Sequence, residues 1–213
     1  MLQIVRQVCL WLSPQATLLS LCEAKLDHFF ENIEGWFNFR QAYRDAVAQA
    51  QPNAVFCEVG SYKGRSAAFM GVEIANSGKP ITFYCVDHWK GSNEEAHKAD
   101  PDRKRLFTVF KDNIAPLIKA HVHIKPVRSD SVQASHLFED NSVDFVWIDA
   151  GHDYASVKAD IEAWWPKLKA GGTIGGDDLP MVGVNQAVTE LFPQAERHSE
   201  DGWMWWRVRK PAA

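Results

Sequence analysis

Short apolar runs rich in strand formers alternate along the chain with longer stretches whose apolar positions recur every three or four residues. AVFCEVG (54–60) is followed by GRSAAFMGVEIANSG (64–78), which carries helical spacing and halts at a glycine. The pattern repeats through PITFYCVDHW (80–89), RLFTVFKDNIAPLI (105–118), VHIKPVRSD (122–130), SVQASHLF (131–138), SVDFVWIDA (142–150), DYASVKADIEAWWPKLKAG (153–171), GGTIGGDD (171–178) and VGVNQAVTELF (182–192). Such alternation predicts an α/β domain, a doubly wound and mainly parallel sheet with helices on both faces. After Pro193 the rhythm changes to AERHS, the turn signal Asp201-Gly202 and WMWWRVRK, which predicts a C-terminal antiparallel hairpin and brings the expected strand count to seven. Its tryptophans are expected to pack the hairpin, Trp203 and Trp205 on one face and Trp206 on the other. Ahead of the sheet two helices are expected, the second near GWFNFRQAYRDAV (35–47), so that residues 1–50 form a helical cap segment on a domain spanning 51–213.

Composition narrows the class. A chain of 213 residues, 46% hydrophobic, has enough apolar surface for one α/β domain and not for two. The formal charge of −4, with no basic block, argues against nucleic acid as a partner and for a small molecule. Cysteines at 9, 22, 57 and 85 show no C-x-x-C spacing, and Cys57 and Cys85 sit in strand-like runs, as reduced buried thiols do. The N-terminal run VCLWLSPQATLLSLC is broken by Ser13-Pro14-Gln15 and lacks a small-residue cleavage site, so it is expected to be a helix on the domain rather than a signal. No run approaches the ~18 apolar residues of a membrane span. The expected setting is therefore cytoplasmic, away from membranes, with a homo-oligomer left open.

Doubly wound sheets bind ligands beyond the carboxyl ends of their strands. After the first such end come Glu58, Gly60, Ser61, Tyr62, Lys63 and Gly64; the two glycines permit a tight turn, but the dinucleotide fingerprint is absent because position 62 is Tyr. Glu58 suits a positively charged ligand group, or caps the next helix. Asp87, one β-α-β unit on, suits a pair of ribose hydroxyls. Asp130 and Ser131 suit an adenine edge, or an ordinary helix N-cap. The fourth and fifth expected strands end in Asp149-Ala-Gly-His152 and Asp177-Asp178. His121 and His123 suit a strand edge better than a metal.

Taken in order and spacing, CEVGSYKGRSA, VDHW, RSDS, DFVWIDAGHDY and GGTIGGDD resemble class I S-adenosylmethionine-dependent methyltransferases, above all the small metal-dependent O-methyltransferases related to macrolide-sugar enzymes, and more distantly catechol O-methyltransferase. The resemblance implies a Rossmann-like fold and S-adenosylmethionine as cofactor, with Glu58, Gly60, Ser61, Tyr62, Gly64 and Ser66 at its methionine end, Asp87 and His88 at the ribose, Asp130 and Ser131 at the adenine, and Asp149 also in contact. It further implies Mg²⁺ or a similar divalent cation on Asp149, Asp177 and Asp178, and His152 as general base where catechol-type enzymes carry lysine. Carboxylates ~4 Å apart repel by about 4 kcal/mol at an effective dielectric near 20, a conflict that a divalent cation resolves. Imidazole, with an ordinary pKa of about 6.5, accepts a proton at neutral pH. The implied acceptor is a hydroxyl on a sugar or other small molecule, met by Trp36, Phe37, Phe39 and a lid in KGSNEEAHKADPDRKR (90–105). An NAD-type oxidoreductase and a non-catalytic binding module on the same fold are the rival readings; the missing third glycine weighs against the first and the retained His152 and aspartates against the second.

Overall fold

The fold is given by a computed structural model that describes residues 25–92 and 95–212. Its seven strands are β1 (Val55–Val59), β2 (Thr82–Asp87), β3 (His123–Arg128), β4 (Val143–Ile148), β5 (Leu168–Gly176), β6 (Glu196–Glu200) and β7 (Trp203–Arg209). They form one sheet in the order β3-β2-β1-β4-β5-β7-β6, with β7 antiparallel to both of its neighbours. The mainly parallel sheet with a closing hairpin is thus as the hydrophobic pattern predicts. The helices are α1 (Arg40–Gln49), α2 (Arg65–Ser77), α3 (Glu95–Ala99), α4 (Leu106–Lys119), α5 (Ser131–Ser135), α6 (Tyr154–Trp164) and α7 (Val182–Leu191). The first helix expected ahead of the sheet lies outside the described residues, as do Cys9 and Cys22; the second is α1.

Adjacent residues on the central strands serve opposite cores, because successive side chains of a strand point to opposite faces. Phe56, Phe145, Trp147 and Trp205 pack with α1, α2 and α4 on one side, while Cys57, Val146, Ile148 and Trp206 pack with α6 and α7 on the other. That is why these strands read as nearly continuous apolar runs: both faces are covered. Trp205 and Trp206 take the two faces as expected. Cys57 and Cys85 are free and buried. α2 begins and ends at glycines in the left-handed region, Gly64 at φ +88° and Gly78 at φ +64°, where a side chain would be strained. Among the described residues no helix is long and apolar enough to cross a membrane.

Between β1 and β4 the order of connection reverses, since β1 leads outward through β2 to β3 and the chain then returns to β4 on its other side. Helices α2 and α6 leave in opposite directions there, opening a crevice above the strand ends.

Candidate active site

Two adjoining cavities of about 380 and 490 Å³ occupy that crevice and share Gly60, Tyr62, His97, Asp149 and Ala150. The first reaches toward β3 and is lined by Asp87, His88, Asp130, Ser131 and Asp160; the second opens toward the hairpin and is lined by Trp36, Arg65, His152, Asp177, Asp178 and Trp203. A third cavity, about 150 Å³ between α1 and β7, touches no strand carboxyl end of the parallel sheet.

Asp87 ties the loops at the crevice together. One carboxylate oxygen accepts the N–H groups of Ser61 at 3.1 Å and Tyr62 at 2.9 Å, and the other accepts that of Trp89 at 2.5 Å. Two backbone donors thus fix the turn after β1 and a third the loop after β2, leaving limited acceptor capacity for a ligand. Gly60 is required by the backbone itself: at φ +92°, an added Cβ would stand 1.8 Å from the Asp149 carbonyl oxygen. The ends of β1 and β4 therefore approach too closely for any side chain, which is a more immediate reason for glycine than room for a ligand. Gly64 lies under the loop against Phe110 rather than in either cavity.

Glu58 is fully buried, receiving the Tyr43 hydroxyl at 2.6 Å and the Ser61 hydroxyl at 2.5 Å. Burial pushes its carboxyl up, and those two hydroxyls pull it back. It braces the turn from beneath and lines neither cavity. Ser61 and Ser66 line the second cavity, and His88, Asp130 and Ser131 the first. Asp130 also accepts the Val132 N–H at 3.1 Å, so it caps α5, and Ser131 accepts the Trp164 indole N–H at 3.0 Å. Capping of α5 thus leaves both residues on the wall of the first cavity.

At the other end, single ligand atoms of Asp149, His152 and Asp178 all lie within 4.8 Å of one another. His152 Nε2 is 2.7 Å from Asp178 Oδ2, while Asp178 Oδ1 accepts the Trp203 indole N–H at 3.0 Å. Asp178 sits at φ +58°, in the left-handed region. Asp177 stands outside the cluster of three. It is buried, and with the Asn38 amide turned nitrogen-first both of its oxygens accept from Asn38, at 3.1 and 2.9 Å. Burial, then Asp177 and Asp178, pushes Asp149 well above the usual carboxylate range; burial and Asp178 push Asp177 up to about 7. Asp149 and Asp178, with Asp177 next in the chain and an imidazole beside them, are hard oxygen donors that fit a divalent cation.

Several site residues carry no motif. Phe37 and Phe39 are buried in the core, whereas Trp36 is 64% exposed at the mouth of the second cavity. Trp203, expected to pack the hairpin, reaches Asp178 instead. His97, from the segment expected as a lid, stacks on Tyr62 with ring centroids 4.7 Å apart. Lys63 is 2% exposed and holds Asp100 at 2.9 Å and Glu34 at 2.7 Å, pinning that segment to the turn after β1. Asp160 was legible in principle: it is the one acid on the α6 stripe Val157, Asp160, Ile161, Trp164 that the helical period buries.

The profile of a methyltransferase-domain family matches residues 57–179, more than half of the chain, and the chain belongs to that family. An uncharacterized protein of Sinorhizobium fredii, y4gI, is 25% identical over 141 residues; these are 66% of this chain but 15% of that protein, so the chain spans a small part of its relative's length. Among solved structures, the TDP-rhamnose 3′-O-methyltransferase of calicheamicin biosynthesis superposes with TM-score 0.54 at 19% identity, over 80% of this chain and 76% of that one. An rRNA methylase from Streptococcus thermophilus superposes with TM-score 0.59 at 11% identity, over 84% and 99%. At such identities the likeness is one of fold.

Proposed function

We propose that this chain transfers the methyl group of S-adenosylmethionine to a hydroxyl of a small molecule, a sugar foremost, with the help of Mg²⁺ or a similar divalent cation. The observation that carries this reading is the Asp149–His152–Asp178 cluster, which lines the 490 Å³ cavity and whose Asp149 also lines the other. The 380 Å³ cavity would take the nucleoside, with the remaining acceptor capacity of Asp87 toward the ribose and Asp130 and Ser131 beside the base. Gly60, Ser61, Tyr62 and Ser66 would border the methionine end, with Glu58 and Gly64 supporting that turn from below. The 490 Å³ cavity would take the acceptor.

A bound divalent cation lowers the pKa of a hydroxyl beside it. Asp149 and Asp178 would be its carboxylate ligands, with Asp177 as the third after turning from Asn38. With Nε2 held by Asp178, which orients the imidazole, His152 would accept the hydroxyl proton at Nδ1 as the oxygen attacks the methyl carbon and the sulfonium leaves as a thioether. Trp36 and Trp203 would exclude water around the acceptor. The acidic lining of this cavity, Asp149, Asp177, Asp178 and Asp201, disfavours a polyanion such as rRNA.

A labelled-methyl transfer screen over deoxysugar glycosides, free sugars, phenols and ribosomal RNA, with and without Mg²⁺, tests the reading. Transfer to a hydroxyl acceptor that depends on Mg²⁺ is expected; transfer to RNA alone would replace it.

A further inference from the structure

The segment ahead of α1 alternates in what it presents to the second cavity. Phe37 and Phe39 sit in the core, while Trp36 and Asn38 line the cavity. Glu34 is tied to the buried Lys63 at 2.7 Å, so the segment is anchored on both sides of Trp36. From this fixed backbone the Asn38 amide nitrogen donates to both oxygens of Asp177, at 3.1 and 2.9 Å. Asp177 is buried and next to Asp178 in the chain, yet it stands outside the group of Asp149, His152 and Asp178, whose ligand atoms lie within 4.8 Å of one another. A hydrogen bond to an ionised carboxylate is stronger than one between neutral groups, and here it is made to the very oxygens that a cation would take.

We propose that Asn38 is a positioning residue that withholds Asp177 from the cation: the ion first meets two carboxylates, Asp149 and Asp178, and gains the third only as the Asn38 contact breaks. The inference rests on the reading of Asp149 and Asp178 as cation ligands. Amide and cation compete for one carboxylate, so the apparent affinity for the ion falls with the fraction of molecules in which Asp177 is free of Asn38. One or two carboxylates with several waters are the usual holding of Mg²⁺, whereas each further carboxylate raises the charge of the site and its affinity. Asn38 thereby sets how tightly the cation is held.

Titration of the full chain with Mn²⁺ alone, read by calorimetry and by the electron paramagnetic resonance of the free ion, provides the test. Asn38→Ala and the isosteric Asn38→Leu, both lacking the donor, are expected to bind Mn²⁺ about 10-fold more tightly than wild type, in line with the loss of a competing hydrogen bond to a charged group. In an Asp177→Ala background the same changes should leave the affinity untouched, because nothing remains to be withheld. A merely structural role would shift the affinity alike in both backgrounds or not at all, and weaker binding in the Asn38 variants would mean that the amide turns Asp177 toward the ion; each result overturns the proposal. Failure of wild type to bind Mn²⁺ would instead overturn the cation reading, and the role of Asn38 with it.

Discussion

Replacing Asp160 by Asn should stabilise the free protein, and the gain should depend on pH in a defined direction. Burial first, opposed by the Ser131 hydroxyl, raises this carboxyl from 3.8 to about 6. Between those values the folded state binds more protons than the unfolded one, so stability falls as pH rises through the window and stays low above it. Asp160→Asn removes that loss: thermal melts should show a gain of about 2–3 kcal/mol at pH 7.5 that fades toward pH 4. A gain independent of pH would mean that the carboxyl is not the cause. His152 and Asp178 separate in another way. His152→Ala should retain cofactor and metal binding and lose about 10²–10⁴-fold in turnover, whereas Asp178→Ala should lose the metal in titration and keep the cofactor. Loss of metal affinity in His152→Ala would make the imidazole a ligand instead of a base. The types at these positions were legible in the sequence, because strand ends in a doubly wound sheet are known places. Their partners were not, because it takes the folded chain to set Asp178 against His152 and Asp177 against Asn38.

At the level of elements, the segment from α3 to α4 is held to the turn after β1 by one buried lysine. Lys63 reaches Asp100, whose side chain is 2% exposed, and Tyr62 donates its hydroxyl to the same carboxylate. Burial alone would raise Asp100; the Tyr62 and Lys63 contacts hold it lower than usual. Lys63→Met should therefore cost about 3–5 kcal/mol, because it strands a buried charge, and the double change Lys63→Met with Asp100→Asn should recover much of it. Hydrogen exchange in residues 95–105 should accelerate in the single variant; unchanged protection would show that the lysine does not hold the segment. Helix and strand periods foretold α2, α4, α6 and α7 and all seven strands. They did not foretell this clasp, since Lys63, Glu34 and Asp100 are distant in sequence and each reads as an ordinary surface charge.

For the whole molecule, a ligand that binds only the folded state stabilises it by mass action. S-adenosylhomocysteine at about a hundredfold excess over its Kd should add about 2.7 kcal/mol, seen as a higher Tm, and millimolar Mg²⁺ should add a separate increment that a chelator reverses. Absence of the first shift would count against the cofactor site, and absence of the second against the cation. The chain by itself determined the order of strands and helices, the antiparallel hairpin and the residue types at each strand end, because hydrophobic period and turn chemistry act between near neighbours. Only the tertiary structure decided that Trp203 reaches Asp178, since that needs β7 seated beside β5 with Trp206 opposite Gly176. Likewise only the packing of α6 on the sheet turned Asp160 into a cavity, and only the closeness of the β1 and β4 ends made Gly60 irreplaceable. These facts depend on which strands lie side by side and at what angle a helix crosses them, and no local pattern encodes either.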